Sequence, residues 1–363
     1  MKKLFSIALF LLVTGLVACS GASDKATPIP AATEAATRAT DPEPTTGSTP
    51  ASETPGKVLP NPGEVTETTV FSEAPDRDLF RLTEELVPGV GDIPRVAIGD
   101  ATEYAVGRTD TFWLVNLADP ETYQSEFELV LVTPHAYWYV EKELDINLPD
   151  LESSAAVFEE DIYPVVIDIF GSEWNPGVDN DPHLNILNAS LSGVAGYYSS
   201  TDEYPTSVRP KSNEREMIYI NARNVSPGGI DYNQVLAHEL QHAVHWNVDA
   251  SEDTWINEGL AELSSSITLD SSFSIRQFLR SPPISLTNWP TSSVGGIANY
   301  GAASLFMHFL TEHYGGQDGL KTLVSQDEDG IGGVDSYLEE MGYEARFEDL
   351  FREWTAANII DGE

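Results

Sequence analysis

The chain has little cysteine and little positive charge, and both shortages exclude classes of protein. Only one of its 363 residues is a cysteine, Cys19, so neither an intramolecular disulfide nor a cysteine-based metal site can form. Lysine and arginine number 19 against 58 aspartate and glutamate residues, which gives a formal net charge of -39 at pH 7. A surface of that sign repels nucleic acid and anionic lipid headgroups. We therefore expect no nucleic-acid partner.

Near the N-terminus, an apolar run from Leu4 to Val17 follows two lysines and is itself followed by Ala18-Cys19-Ser20. A basic start, an apolar stretch too short to span a bilayer comfortably and small residues at the cut are typical of a secretory signal peptide. The cysteine at this place resembles a lipobox, which implies a lipoprotein signal peptide over residues 1–18 and acylation of Cys19. The mature chain would then be lipid-anchored at the bacterial cell surface. The alternative is an ordinary signal peptide or membrane anchor with a coincidental cysteine.

Residues 19–64 are rich in threonine, proline and alanine and contain hardly a large apolar side chain. Such a segment cannot bury enough surface to fold. We predict a disordered tether between the lipid anchor and the folded part of the chain.

Short runs of alternating apolar and polar residues predict a small antiparallel β domain over residues 65–148. The runs are Tyr104 to Val106, Thr111 to Val115, Phe127 to Val132 and Tyr137 to Val140. No catalytic combination of residues occurs among them. The aromatic run 137–139 would suit a carbohydrate-binding face, although aromatic side chains of a strand more commonly pack into a core.

The pattern becomes helical near residue 149, and residues 149–363 are predicted to form a second domain. Apolar residues three or four apart between Leu151 and Gly171 indicate a helix. Strand-like runs follow at 184–187, 194–198 and 217–220, and helical patterns then continue almost to the end. A small sheet that leads into a helical subdomain belongs to the α+β class.

The motif His238-Glu239-Leu240-Gln241-His242 lies in a stretch of helical pattern from Tyr232 to Trp246. Two histidines at positions i and i+4 lie roughly 40° apart on a helix surface and one turn along. Both imidazoles can therefore reach one zinc ion at about 2.0–2.1 Å. Glu239 falls on the flank of this face, where a carboxylate can act as a general base on a water molecule without ligating the metal.

A second helical pattern begins at Trp255 and places two acids on one face. Glu258 and Glu262 lie about 200° and 240° around the helix from Ile256, opposite the apolar stripe. We interpret Glu258 as the third metal ligand and Glu262 as an acceptor that holds a ligand imidazole in the correct tautomer. Spacing alone does not choose between the two acids.

The combination of HExxH with Asn-Glu on a following helix resembles the gluzincin metallopeptidases. The sequence of residues 255–262 is most similar to the hyicolysin-like family, as are Ser212-Asn213-Glu214-Arg215-Glu216 and the predicted strand 217–221. The resemblance covers roughly residues 150–311. It implies a zincin-type peptidase domain, one zinc ion per chain, Glu258 as a zinc ligand and Glu262 as support for a ligand histidine. Fifteen residues separate His242 from Glu258, fewer than in thermolysin.

The resemblance also implies a tyrosine or histidine that stabilises the oxyanion, and Tyr300 at the start of a later helix is the candidate. The alternative for Tyr300 is a packing role at the helix start. A metzincin would need glycine at position 245 and histidine at 248, whereas the chain has His245 and Val248, so that class is excluded. We interpret His245 as a packed residue or as support for the ligands.

The sequence therefore predicts a zinc-dependent endopeptidase that acts on proteins or peptides. The Gly-x-Met-Glu-Asn signature of related aminopeptidases is absent, which favours an endopeptidase. One alternative is a catalytically weak or inactive zinc-binding surface adhesin, which would have no use for Glu239. Another is a zinc hydrolase whose substrate is not a peptide.

Overall fold

The computed structural model describes residues 78–97, 99, 103–119, 121–269, 274–280, 282, 284–289 and 296–360. The predicted signal peptide, the lipidation site Cys19 and the predicted tether of residues 19–64 lie outside this range. All of the described residues belong to one compact unit.

The described strands form one six-stranded sheet in the order β1-β2-β3-β4-β6-β5. Strands β1, β2 and β3 are neighbouring antiparallel strands, β4 lies parallel to both β3 and β6, and β5 closes the edge antiparallel to β6. Their bounds are Thr109–Asn116 for β1, Glu121–Val132 for β2, Ala136–Glu141 for β3, Leu184–Ala189 for β4, Gly196–Tyr198 for β5 and Met217–Asn221 for β6.

This sheet crosses the domain boundary that the sequence predicts at residue 148, so the expected division into a β domain and a separate α+β domain is not seen. Strands β1 to β3 are antiparallel as predicted, but β3 pairs in parallel with β4 from the second region. Every residue of β3 is buried, and a strand buried in this way needs a neighbour on each side. Alternation along a sequence reveals a strand but not its partner.

Two local features of the first region also differ from the prediction. The run from Tyr104 to Val106 forms no strand, because the chain turns there and the N–H of Arg108 donates to the carbonyl of Ala105 at 3.1 Å. Helix α1, Leu79–Leu86, was not expected in a β-rich region; the side chain of Asp78 caps it by accepting from the N–H of Phe80 at 3.0 Å.

The aromatic run of β3 is entirely inside the protein. Tyr137, Trp138 and Tyr139 are each 0% exposed, so they form no carbohydrate-binding face. Trp138 packs among the helices, whereas Tyr137 and Tyr139 join the apolar cluster on the other face of the sheet, as the alternation of a strand requires. Their polar atoms are satisfied: the hydroxyl of Tyr139, for example, donates to Asp110 Oδ2 at 2.8 Å.

The described residues form ten α-helices, which together with the mixed sheet confirm the α+β class. A π-helical turn, Phe158–Ile162, joins α2 to α3, where Pro164 has no N–H to donate to the preceding turn. None of the described helices is both long and apolar enough to cross a membrane. After α1 the helices are α2 Leu148–Val157, α3 Tyr163–Phe170, α4 Ile230–Val248, α5 Thr254–Leu269, α6 Ser274–Arg280, α7 Ile297–His313, α8 Leu320–Val324, α9 Gly330–Glu340 and α10 Phe347–Ile360.

Helix α4 packs against β5, β6 and α5, and α5 packs in turn against α7. Two serine hydroxyls of α5 fix its position on α4: Ser264 donates to the carbonyl of Ala237 at 3.0 Å and Ser265 to that of Gln234 at 2.8 Å. On its other side α5 approaches α7 at Gly259. A β-carbon at Gly259 would lie 3.0 Å from Cγ of Met307 and 3.2 Å from Cβ and the carbonyl oxygen of Ala303. Glycine therefore permits this close helix contact.

Gly259→Ala should lower the free energy of unfolding by about 1–3 kcal/mol, because the new methyl group has to separate α5 from α7. Gly332→Ala in α9 is the matched control. A β-carbon there makes only ordinary contact, at 3.4 Å from Glu328 Cβ, so the same change should be neutral or stabilise by about 0.5–1 kcal/mol. Urea unfolding of both variants measures the difference, and equal stabilities would contradict the packing argument.

Candidate metal centre

Helix α4 presents two candidate metal ligands on the face opposite its buried stripe. Leu236, Leu240 and Val244 are 0% exposed and belong to the main apolar core, as the helical pattern predicted. His238 and His242 lie one turn apart on the other face and retain 16% and 13% side-chain exposure. The core contacts of α4 therefore hold both imidazoles at the edge of the protein interior.

Helix α5 brings Glu258 to these two histidines. The distances between the three nearest donor atoms are 3.2 Å from His238 Nε2 to Glu258 Oε2, 3.4 Å from His242 Nε2 to Glu258 Oε2 and 3.1 Å between the two Nε2 atoms. The three atoms thus form a nearly equilateral triangle. The structure brings together the three residues that the sequence predicted as ligands, and they form a possible metal-binding group.

The size of this triangle fits a tetrahedral metal ion. Zinc binds nitrogen and carboxylate oxygen at about 2.0–2.1 Å, so two ligand atoms of a tetrahedral site lie about 3.3 Å apart. All three observed distances fall within a few tenths of an ångström of that value. Two imidazoles and one carboxylate are also a donor set that zinc accepts.

Glu262 lies one turn after Glu258 and beside the other ring nitrogen of His238. Its Oε1 is 3.6 Å from Nδ1 of His238, and its Oε2 accepts a hydrogen bond from the hydroxyl of Ser274. The two acids of α5 thus occupy different places: Glu258 contacts the Nε2 atoms of both histidines, whereas Glu262 faces the nitrogen that points away from the triangle. This placement agrees with the roles inferred from the sequence, which stay predictions.

Glu239 is buried next to the triangle but contributes no atom to it. It is 6% exposed, and the backbone of Tyr198 in β5 lies close enough to its carboxylate to favour the charged form. Burial raises the pKa of Glu239, and the positive charge that His238 and His242 can carry opposes that shift. The strand lies very close: a β-carbon at Gly196 would be 3.2 Å from Oε1 of Glu239 and 2.4 Å from Val235 Cγ1. Only glycine at 196 allows β5 to approach α4 at this point.

Tyr300 of α7 reaches the same centre. Its hydroxyl donates to Glu258 Oε1 at 3.3 Å, and its ring packs edge-on against Trp289 with centroids 4.8 Å apart. Burial and the charge of Glu258 raise the pKa of Tyr300, so the phenol keeps its proton. Tyr300 therefore has a packing contact and also presents a donor at the metal-ligand group; whether it serves the oxyanion stays a prediction.

A cleft of 280 Å³ opens beside the triangle. His242 and Glu258 line it together with Tyr198 of β5 and Trp246 of α4. Sequence reasoning did not associate Trp246 with the site, because residues that line a cleft come from separate elements and share no local spacing. The only available signal was that Trp246 lies one turn beyond His242 on α4.

No protein-family model matches the chain, and comparison with curated proteins finds no match either. The geometry of the centre therefore carries the functional argument by itself.

Metal affinity should rise with pH, because a proton on His238 competes with the metal. Burial lowers the pKa of His238, but its hydrogen bond with Glu258 and the charges of Glu239, Glu258 and Glu262 outweigh that effect and raise the pKa to about 9. A metal ion must displace this proton. Zinc affinity should therefore increase by up to about tenfold per pH unit from neutral pH and level off above the pKa. Competition titration with a chromophoric chelator measures it; an affinity independent of pH in this range would refute the argument.

Substitution of the two acids of α5 should separate their roles. Glu258→Ala removes one corner of the triangle and should largely abolish zinc binding. Glu262→Ala removes only the partner of His238 Nδ1, so zinc should bind about 10–100-fold more weakly but still stoichiometrically at saturation. The same chelator competition compares the variants. If Glu262→Ala were metal-free while Glu258→Ala bound tightly, the assignment would be inverted.

Proposed function

We propose that this chain is a cell-surface zinc-dependent endopeptidase of the gluzincin type, similar to the hyicolysin-like family, with a zincin-type active-site fold. The observation that carries the proposal is the triangle of His238, His242 and Glu258 with a buried, non-ligating carboxylate, Glu239, beside it. A structural metal site has no use for that carboxylate. One zinc ion per chain would be held by the three ligands, and when bound it would supply a Lewis acid that polarises a peptide carbonyl and makes water more acidic.

Glu239 acts as the general base in this proposal. Its carboxylate takes a proton from the attacking water and then gives it to the leaving amine. Burial suits it to this exchange, because a raised pKa brings a carboxylate closer to the pH at which it both accepts and releases a proton. The backbone of Tyr198 lies beside the carboxylate and favours its charged form, which opposes the effect of burial.

Tyr300 and strand β5 provide the remaining functions. The protonated hydroxyl of Tyr300 donates to the oxyanion that develops on the scissile carbonyl, after exchanging its contact with Glu258. Strand β5 lies at the edge of the sheet, beside β6, and its residue Tyr198 lines the cleft. An extended peptide can pair with such an edge strand and place alternate side chains in pockets. Protein or peptide substrates are therefore the class that we propose.

Glu239→Gln should retain zinc, since the side chain is not a ligand, while turnover falls by about 10²–10⁴-fold through loss of the general base. Unfolded casein and a peptide library, each with and without a chelator, provide the assay. Asp231→Asn, an exposed acid at the other end of α4, is the control and should keep full activity.

Near wild-type activity in Glu239→Gln would remove Glu239 from its role. A wild-type protein that binds zinc but cleaves none of these peptides would instead support the inactive adhesin, or a hydrolase for another substrate class.

The proposed location is the bacterial cell surface, with lipid on Cys19 as the only membrane attachment. Labelled palmitate should be incorporated into the wild-type protein, which should partition into detergent. Cys19→Ala should lose the label and leave the membrane fraction. A wild-type protein without label would show that the lipoprotein prediction is wrong.

A further inference from the structure

A second group of metal-ligand side chains lies at the end of α4 and in the link to α5. It consists of His245, Asp249 and Glu252, and one potential ligand atom from each lies within 4.8 Å of the other two. The proposed peptidase chemistry uses none of them. From the sequence His245 is expected to be a packed or supporting residue, and no local pattern assigns a role to the two carboxylates.

His245 is completely buried and incompletely satisfied. Among the described residues its Nε2 has no hydrogen-bond partner, while Nδ1 lies 3.5 Å from the amide nitrogen of Gln241. The amide oxygen of Gln241 is also buried without a partner in the described part of the chain. A half-turn of that amide would let Nδ1–H donate to the oxygen, and the lone pair of the imidazole would then be on Nε2. This is how proteins commonly orient a metal-binding histidine.

The protonation state of His245 agrees with a ligand role. Burial and the nearby His242 lower the pKa of His245 to about 3, so the ring stays neutral in the pH range where the protein would work. Neutral imidazole is the form that binds a metal ion.

The two carboxylates are each held by one oxygen. Asp249 Oδ1 accepts from the N–H and the hydroxyl of Ser251 at 3.0 Å each, whereas Oδ2 is buried and has no partner among the described residues. Glu252 Oε1 accepts from the N–H groups of Asp253 and Gly330, the latter at 2.8 Å. In both residues these hydrogen bonds orient the carboxylate through one oxygen, and the second oxygen can bind a metal ion.

This group carries uncompensated negative charge. Within the described ranges, no ion pair joins Asp249 or Glu252 to a lysine or arginine. Burial raises the pKa of Glu252 to about 7, and the charges of Asp249 and Asp329 add to this shift against the backbone hydrogen bonds. A divalent cation would neutralise the pair and satisfy both Asp249 Oδ2 and His245 Nε2.

We propose that His245, Asp249 and Glu252 bind a second divalent transition-metal ion, of the zinc or manganese type. One imidazole and two carboxylates suit these ions, whereas calcium and magnesium take oxygen ligands. Asp249 and Glu252 line the same cleft as His242 and Glu258. The ion would connect the end of α4 to the link before α5 and, through the hydrogen bond that Glu252 accepts from the N–H of Gly330, to α9. It would thereby stabilise the segment that connects His242 of α4 to Glu258 of α5.

The test counts metal ions in the full-length protein after dialysis with Zn²⁺ alone or Mn²⁺ alone. The wild type should bind two ions. The near-isosteric double variant Asp249→Asn/Glu252→Gln and the variant His238→Ala/His242→Ala should each bind one, and the control Asp231→Asn should bind two. Excess Ca²⁺ should displace neither ion. Circular dichroism of each variant shows that it is folded, and the single variant Glu252→Gln replaces the double variant if that one is not.

Two outcomes separate this inference from the proposed function. In the first, the wild type binds one ion. If His238→Ala/His242→Ala loses this ion and Asp249→Asn/Glu252→Gln keeps it, the second site is refuted while the first centre stands. If the wild type binds one ion with the opposite pattern, the second site stands and the metal site of the proposed peptidase is refuted.

Discussion

The candidate metal centre depends on the close approach of three donor atoms, His238 Nε2, His242 Nε2 and Glu258 Oε2, at 3.1 to 3.4 Å from one another. Two nitrogen lone pairs and a carboxylate oxygen at these distances repel one another unless a cation or a proton lies between them. Burial alone would lower the pKa of His238, but its hydrogen bond with Glu258 and the charges of the neighbouring carboxylates raise that pKa instead, so a proton on His238 is favoured here. A metal ion would satisfy all three atoms at once.

The fold maintains this arrangement through helix contacts rather than through loops. Ser264 and Ser265 bond α5 to the carbonyls of α4, and Gly259 lets α7 approach α5 directly behind Glu258. Tyr300 of α7 then bonds the free oxygen of the Glu258 carboxylate. The positions of the candidate ligands are therefore determined by packed helices, which hold the geometry of a site more rigidly than loops do.

Strand β5 also lies next to this centre, where it packs against α4. Gly196 allows the strand to contact α4, and the backbone of Tyr198 lies beside the carboxylate of Glu239. The general base of the proposed reaction is thus in contact with the strand on which the peptide would lie. Substrate binding and proton transfer would depend on one short edge of the sheet.

The sequence predicted those features that depend on local periodicity. The buried stripe of α4, the pairing of His238 with His242 and the placement of Glu258 and Glu262 on one face of α5 all follow from helical spacing. The pairing of β3 with β4 could not be predicted, because the alternation of a strand contains no information about its neighbour. The group around His245 was missed for a related reason: Asp249 and Glu252 follow the end of α4, where helical spacing no longer applies.

X-ray diffraction from crystals grown with zinc, at energies on either side of the zinc absorption edge, would locate the proposed metal ion. We expect an anomalous peak at about 2.0–2.1 Å from His238 Nε2, His242 Nε2 and Glu258 Oε2, with the carboxylate of Glu239 nearby but not coordinated. If no such peak lay between these three atoms, or if zinc took Glu239 as a ligand in place of Glu258, the proposed metal centre would be wrong.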